Sequence, residues 1–212
     1  MQLVFSYNSE RDVENFIKST ESVNRKNYTK FQNMYIKTYV ESFDVEKVKH
    51  FIKEYIKTNK IDIEKEINLT RARWLKIENL FIERAKKIFG IQYPEITITV
   101  YLTNNERCTY NIQENYFFVK MGSQFSNNII MHELFHFYTY YALGKKLLEN
   151  GLAKDLYNDL KESLTELLNI EFSDLMDGKA DKGYPQHQEM RNEIKELWLK
   201  DKNIKSLVGR LL

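Results

Sequence analysis

Residues 126–144 read SNNIIMHELFHFYTYYALG, the most distinctive stretch of this 212-residue chain. The stretch predicts a helix that ends at Gly144, with apolar or aromatic side chains on every side. A helix that is apolar all round is expected in the interior of a protein. His132, Glu133 and His136 therefore fall in a helix that we expect to be buried, where polar side chains need partners.

The spacing of these three residues indicates a metal site. Residues four apart lie on one face of a helix, so His132 and His136 can direct their imidazoles at one ion. Zinc accepts such nitrogens at about 2.0–2.1 Å, and Glu133 is placed to take a proton from a zinc-activated water. We expect one Zn²⁺ per chain, with His132 and His136 as ligands and Glu133 as the catalytic base. The alternative is a purely structural His-Glu-His cluster.

A zinc site with two histidines needs a third protein ligand. No histidine follows closely after His136, so the candidates lie on the next predicted helix, from about Leu152 to Glu171. Acidic residues on one side of a helix are more often a solvated face than a metal site. On this predicted helix the acidic side comprises Asp155, Asp159, Glu162 and Glu166.

The HELFH motif at residues 132–136 and the downstream segment KESLTE at residues 161–166 together resemble the gluzincin metallopeptidases. In that family a glutamate on a later helix completes the zinc site. The resemblance implies that Glu162 is the third ligand and that Glu166 orients a ligating histidine through a hydrogen bond. Glu166 and Glu171 remain alternatives for the ligand. The resemblance also implies a zincin-like core and zinc-dependent hydrolysis of peptide bonds.

Two further residues come from the same resemblance. Some gluzincins use a later His or Tyr to stabilise the oxyanion of the tetrahedral intermediate. His187 and Tyr184 lie in the segment YPQHQ and are candidates for oxyanion or substrate binding. The more ordinary interpretation of His187 is an exposed residue near a helix start.

The pattern along the chain predicts an α+β fold. We expect a mainly helical region over residues 1–90 and a zincin-like core over residues 91–212; the alternative is that the two pack as one domain. The core would contain a small, mostly antiparallel sheet, the active-site helix and the C-terminal helices. Tyr35 to Phe43 is ambiguous between helix and strand. The predicted helices are Val45 to Thr58 with Asp44 as its N-cap, Glu64 to Phe89 with its end at Gly90, Leu152 to Glu171, Pro185 to Lys200 and a short one after Asn203. The predicted strands are Glu95 to Leu102, Cys108 to Ile112 and Tyr116 to Met121.

Composition limits the partners. A net charge of +2 gives no reason to expect nucleic acid, and no stretch is long and apolar enough to predict a membrane span. We expect a peptide or protein substrate, no nucleic-acid or membrane partner, and a cytoplasmic location, because the first residues do not resemble a signal peptide. The few prolines and abundant Lys, Asn and Ile suggest a bacterial or phage protein, and the single cysteine, Cys108, allows no internal disulfide. Oligomeric state is left open. The alternative to an enzyme is a catalytically silent, zincin-like binding or regulatory protein.

Overall fold

The computed structural model describes residues 1–39, 43–91 and 95–212. The chain divides into two compact units, one formed by Met1–Arg73 and Glu95–Ser126 and the other by Trp74–Pro94 and Asn127–Leu212. We call them the sheet unit and the helical unit. Each unit draws residues from both sides of position 90. The chain is α+β, and the division between residues 90 and 91 stays a prediction.

The sheet unit contains one four-stranded sheet of order β1-β2-β4-β3. Its strands are β1 (Gln2–Ser6), β2 (Thr97–Thr103), β3 (Tyr110–Asn111) and β4 (Tyr116–Lys120). Both β1 and β4 run parallel to β2, and β3 pairs antiparallel with β4. The expectation of a mostly antiparallel sheet is therefore wrong. The N-terminal strand β1 was not foreseen, and a strand that joins its neighbour through intervening helices can pair in parallel.

The helices of the sheet unit are α1 (Ser9–Glu21), α2 (Lys30–Tyr39), α3 (Val45–Thr58) and most of α4 (Ile63–Leu75). The prediction for α3 is confirmed, including its first turn, where the Asp44 carboxylate accepts from the Lys47 amide at 3.1 Å. The ambiguous segment is helical as far as Tyr39, and residues 40–42 lie outside the described part. One core of these helices contains Val13, Phe16, Phe31, Tyr35, Val48 and Ile52.

The long helix expected from Glu64 to Phe89 is two helices, α4 and α5 (Glu78–Phe89). The break is a turn in which the Ile77 amide donates to the Trp74 carbonyl at 2.9 Å, and the Trp74 indole donates to Glu78 at 3.0 Å. The predicted end of α5 is confirmed, because Gly90 adopts the left-handed conformation with φ of 64°.

The helical unit contains α5 and the elements that follow the sheet. Aromatic side chains pack at its centre, with ring centroids 4.9 Å apart for Phe89 and Phe135 and 5.1 Å apart for Phe81 and Phe172. No described helix has both the length and the apolar composition that a membrane crossing needs. The later helices are α6 (Ser126–Thr139), α7 (Lys145–Glu149), α8 (Lys154–Leu164), α9 (Glu166–Glu171), α10 (Gln188–Lys200) and α11 (Ile204–Leu211), with a π-helical turn at Tyr140–Gly144 and a 3-10 turn at Pro185–His187.

Two predicted helix boundaries differ in this unit. Gly144 does not end a helix: its φ and ψ are −60° and −44°, and the chain continues through the π-helical turn into α7. The helix expected from Leu152 to Glu171 is interrupted at Thr165, whose hydroxyl donates to the Glu162 carbonyl at 2.7 Å. Such local hydrogen bonds compete with the regular helical pattern.

Candidate metal centre

Helix α6 presents both histidines on one face. The ring centroids of His132 and His136 are 4.5 Å apart, and the rings are nearly perpendicular. Their neighbours Leu134 and Phe135 are fully buried, so the helix is held in the interior as its composition predicts. The one-turn spacing of the two histidines in the sequence thus places their imidazoles next to each other in the structure.

Helix α8 brings a carboxylate to this face. Glu162 places Oε1 3.4 Å from His136 Nε2 and Oε2 3.7 Å from His132 Nε2. One ligand atom from each of the three residues lies within 4.8 Å of the others. Tetrahedral zinc with bonds of about 2.0–2.2 Å separates neighbouring ligand atoms by about 3.3–3.5 Å. His132, His136 and Glu162 could therefore hold a metal ion such as zinc.

The ring of His132 is oriented by a residue that the sequence did not point out. Asp181 Oδ2 lies 2.6 Å from His132 Nδ1. When Nδ1 donates its proton there, Nε2 keeps a lone pair that faces Glu162. Burial disfavours the charged imidazole, but the hydrogen bond to Asp181 and the nearby carboxylates outweigh it and raise the pKa of His132.

The pKa values of His136 and Asp181 are also shifted from their usual ranges. Burial, reinforced by the charge on His132, holds the pKa of His136 well below its usual range, so this imidazole stays neutral. Burial alone would raise the pKa of Asp181, yet the contact with His132 and the charge of Arg191 lower it. The neutral imidazole of His136 is the form that binds a metal ion, whereas the raised pKa of His132 means that this residue must release a proton when a metal binds.

A buried arginine fixes the loop that carries Asp181. Arg191 on α10 is 2% exposed and donates to the Asp181 carbonyl at 2.7 Å and to the Thr165 hydroxyl at 2.6 Å. Asn169 makes two further hydrogen bonds of 2.8 Å with the backbone of Asp181. The loop is thus tied to α9 and α10 at the point where it meets His132.

Glu166 takes a different place from the one that the resemblance implies. Its carboxylate pairs with Arg191 at 2.8 Å and accepts from Asn169 at 3.0 Å, while Asp181 makes the contact with His132. Glu171, the other alternative ligand, accepts from the Trp198 indole at 2.8 Å and pairs with Lys202. Of the three glutamates considered, the cluster with both histidines includes Glu162.

Glu133 follows His132 on α6 and is 7% exposed. Burial is the main cause that raises its pKa to about 7, the charge of His132 opposes the shift, and the charge of Glu162 adds to it. No described residue hydrogen-bonds to its Oε2 atom. A carboxyl group with this pKa and an available acceptor atom is suited to take up a proton near neutral pH.

Lys161 adds a positive charge next to Glu162. Its side chain is 7% exposed, and its Nζ lies 2.5 Å from Glu162 Oε1. Its charge opposes the increase in the pKa of Glu133 that burial causes, and it contributes to the lowered pKa of His136. An ammonium group therefore lies among the proposed ligands.

A glycine allows α8 to approach the chain that follows α6. A methyl group on Gly144 would lie 2.5–2.6 Å from atoms of the Tyr157 phenol ring. Tyr157 is buried on the helix that carries Glu162. The absence of a side chain at Gly144 thus permits the packing that places Glu162 near the histidines.

His187 and Tyr184 lie beside each other at the 3-10 turn before α10. His187 is buried, contrary to the ordinary expectation of an exposed residue, and its Nε2 lies 3.0 Å from Asp159 Oδ1. Tyr184 is half exposed, with its ring centroid 5.7 Å from that of His187. Asp159 precedes Glu162 by one helical turn, which places this pair next to the cluster along α8.

Asp181, Arg191 and Lys161 are the members that sequence reasoning missed. Asp181 and Arg191 carry no spacing signal, because one lies in an irregular loop and the other in a later helix. The only available signal was the requirement that a ligating histidine has a partner for its second nitrogen.

Comparisons of the chain with known protein families, with curated proteins and with solved structures found no match. The resemblance to gluzincins stays a prediction from the two motifs.

Proposed function

We propose that this protein is a zinc-dependent peptidase of the gluzincin type, with a zincin-like core. His132, His136 and Glu162 would hold the ion, and Glu133 would be the catalytic base. The observation that carries the proposal is the position of Glu162, whose two oxygens lie 3.4 and 3.7 Å from the nitrogens of histidines on another helix. A solvated acidic face does not require such convergence.

The charge of the cluster also supports a divalent cation. Four carboxylates of low exposure lie with the ammonium and guanidinium groups of two basic residues, so the acidic groups outnumber these two cations. Buried charges are stable when they are paired or when they coordinate a metal. The carboxylates are those of Glu133, Glu162, Glu166 and Asp181, and the cations are Lys161 and Arg191.

The chemistry follows from the positions of the side chains. When bound, zinc would supply an acidified water molecule and a Lewis acid for the substrate carbonyl. Glu133 accepts the proton of the attacking water through its available oxygen and returns it to the leaving amine. Asp181 keeps His132 in one tautomer, and the buried surroundings of α6 strengthen these electrostatic interactions.

His187 and Tyr184 remain the candidates for stabilising the oxyanion or binding the substrate. The proposed partner is a peptide or protein, since the gluzincin resemblance implies peptide bonds as the substrate. Within the pair, the half-exposed Tyr184 is the residue that a substrate could reach directly.

The substitution Glu133→Gln tests the assignment. It keeps size and shape but removes the base, so hydrolysis should fall by about 10²- to 10⁴-fold while zinc remains bound. Zinc content would be measured by elemental analysis and hydrolysis with a broad peptide library, with Glu149→Gln on α7 as the matched control. Normal cleavage by Glu133→Gln would contradict the mechanism. Stoichiometric zinc without hydrolysis by the unmodified protein would favour the catalytically silent alternative.

A further inference from the structure

We propose that Lys161 competes with the metal ion for Glu162 and thereby weakens zinc binding. This inference rests on the metal site proposed above and assigns a role to a residue outside the ligand set.

The competition arises at a single atom. Glu162 Oε1 lies 2.5 Å from Lys161 Nζ and 3.4 Å from His136 Nε2. An ion bound between Glu162 and His136 would use the oxygen that the ammonium already contacts. Two cations on one carboxylate oxygen each reduce the affinity of the other.

Burial makes this competition strong. The side chains of Lys161 and Glu162 are 7% and 15% exposed, so solvent screens their charges poorly. Like charges a few ångströms apart repel far more in such surroundings than at the surface. The ammonium must leave Glu162 or tolerate a divalent neighbour when the metal binds, and either requirement lowers affinity.

The same contact stabilises the protein without metal. Glu162 and Asp181 both contact the imidazole of His132, and the charges of both carboxylates raise the pKa of Glu133, so the ammonium offsets repulsion among carboxylates. Removal of the Lys161 charge should therefore destabilise the metal-free protein and strengthen zinc binding. A merely structural lysine predicts the opposite sign for zinc, because its loss would disorder Glu162 and weaken both properties.

The experiment uses the full chain stripped of metal by a chelator, with zinc alone as the probe. Zinc affinity is measured by competition with a chromogenic chelator at one pH, and thermal unfolding is followed by circular dichroism. The variants are Lys161→Met and Lys161→Gln, which remove the charge, and Lys161→Arg, which keeps it. Lys154→Met, at an exposed position of α8, is the matched control.

We expect Lys161→Met and Lys161→Gln to bind zinc about 10- to 100-fold more tightly than the unmodified chain, and to unfold at a lower temperature without metal. Lys161→Arg and Lys154→Met should stay within about threefold in affinity. In a Glu162→Gln background the gain from Lys161→Met should shrink, because the shared carboxylate is gone.

Equal or weaker zinc binding by both neutral variants would overturn the inference and leave the proposed metal site intact. If neither the unmodified chain nor any variant binds zinc, the proposed function and this inference fail together. Binding by the neutral variants alone would give the strongest support. Since peptide hydrolysis enters none of these measurements, a catalytically silent protein tests the inference equally well.

Discussion

Both units bury a cluster of polar side chains, and the two clusters differ in how their hydrogen bonds are completed. In the sheet unit, Asp12 is fully buried and accepts from the side chains of Thr103 and Asn104. Asn15 donates to Thr103 and accepts from Thr109 at 2.9 Å. The donors and acceptors of this Asp12 cluster are partners for one another.

The cluster around His132 in the helical unit is not completed in this way. It has an excess of carboxylates, and among the described residues none donates to Glu133 Oε2. Burial of polar groups alone therefore does not indicate a site. An unmet requirement for positive charge, together with converging ligand atoms, distinguishes a candidate metal centre from a structural hydrogen-bond network.

The largest effect on this contrast is expected from Asp181→Asn. The change removes the negative charge that orients His132, and loss of such a supporting carboxylate typically costs about 10- to 100-fold in metal affinity. Chelator competition measures it, and Asp174→Asn, at an exposed position of the same loop, is the control. Unchanged zinc affinity in Asp181→Asn would show that the contact with His132 has no role in metal binding.

A smaller effect is expected when the packing of α8 is disturbed. Gly144→Ala should lower the free energy of unfolding by about 1–3 kcal/mol, because the new methyl group overlaps the Tyr157 ring. Zinc affinity should fall as Glu162 moves with α8. Gly209→Ala on α11 is the control, since no atom lies within 4 Å of its added methyl group. Full stability and full zinc affinity in Gly144→Ala would mean that this close approach does not position Glu162.

The smallest expected effect is on the pH dependence of stability, through the Asp12 cluster. Burial is the main cause that raises the pKa of Asp12 to about 6, although hydrogen bonds from Thr103 and Asn104 oppose it. The folded state thus binds a proton more readily than the unfolded state, so the contribution of Asp12 to stability is lost as pH rises from about 4 to 6.

Asp12→Asn should remove that dependence without altering zinc affinity. The difference in unfolding free energy between the unmodified chain and Asp12→Asn, measured by denaturant titration from pH 4 to pH 7, isolates the Asp12 term. A difference that does not vary with pH would contradict the raised pKa. A loss of zinc affinity in Asp12→Asn would contradict the expectation that the two clusters act independently.

The sequence predicted features that depend on short-range patterns. The Asp44 cap, the end of α5 at Gly90 and the one-turn spacing of His132 and His136 each follow from residues close together in the chain. Glu162 could be predicted because the resemblance implies a glutamate on a later helix, and the structure brings that carboxylate to both histidines.

Features that depend on long-range packing were not predictable in this way. A glycine at position 144 suggests a helix end, yet Gly144 lies within a continuous helical segment. Its lack of a side chain leaves space for the ring of Tyr157, which packs there. The pairing of β1 with β2 joins residues nearly a hundred positions apart. Asp181 meets His132 from an irregular loop, where no periodicity marks the residue that turns inward.

X-ray absorption at the zinc edge, on the purified full chain, tests the central claim most directly. The proposed site predicts one zinc with two imidazole nitrogens and carboxylate oxygen at about 2.0–2.2 Å, and loss of that coordination in His136→Ala. The proposed metal site would be contradicted if no zinc binds when the ion is supplied, or if His136→Ala leaves the zinc spectrum unchanged.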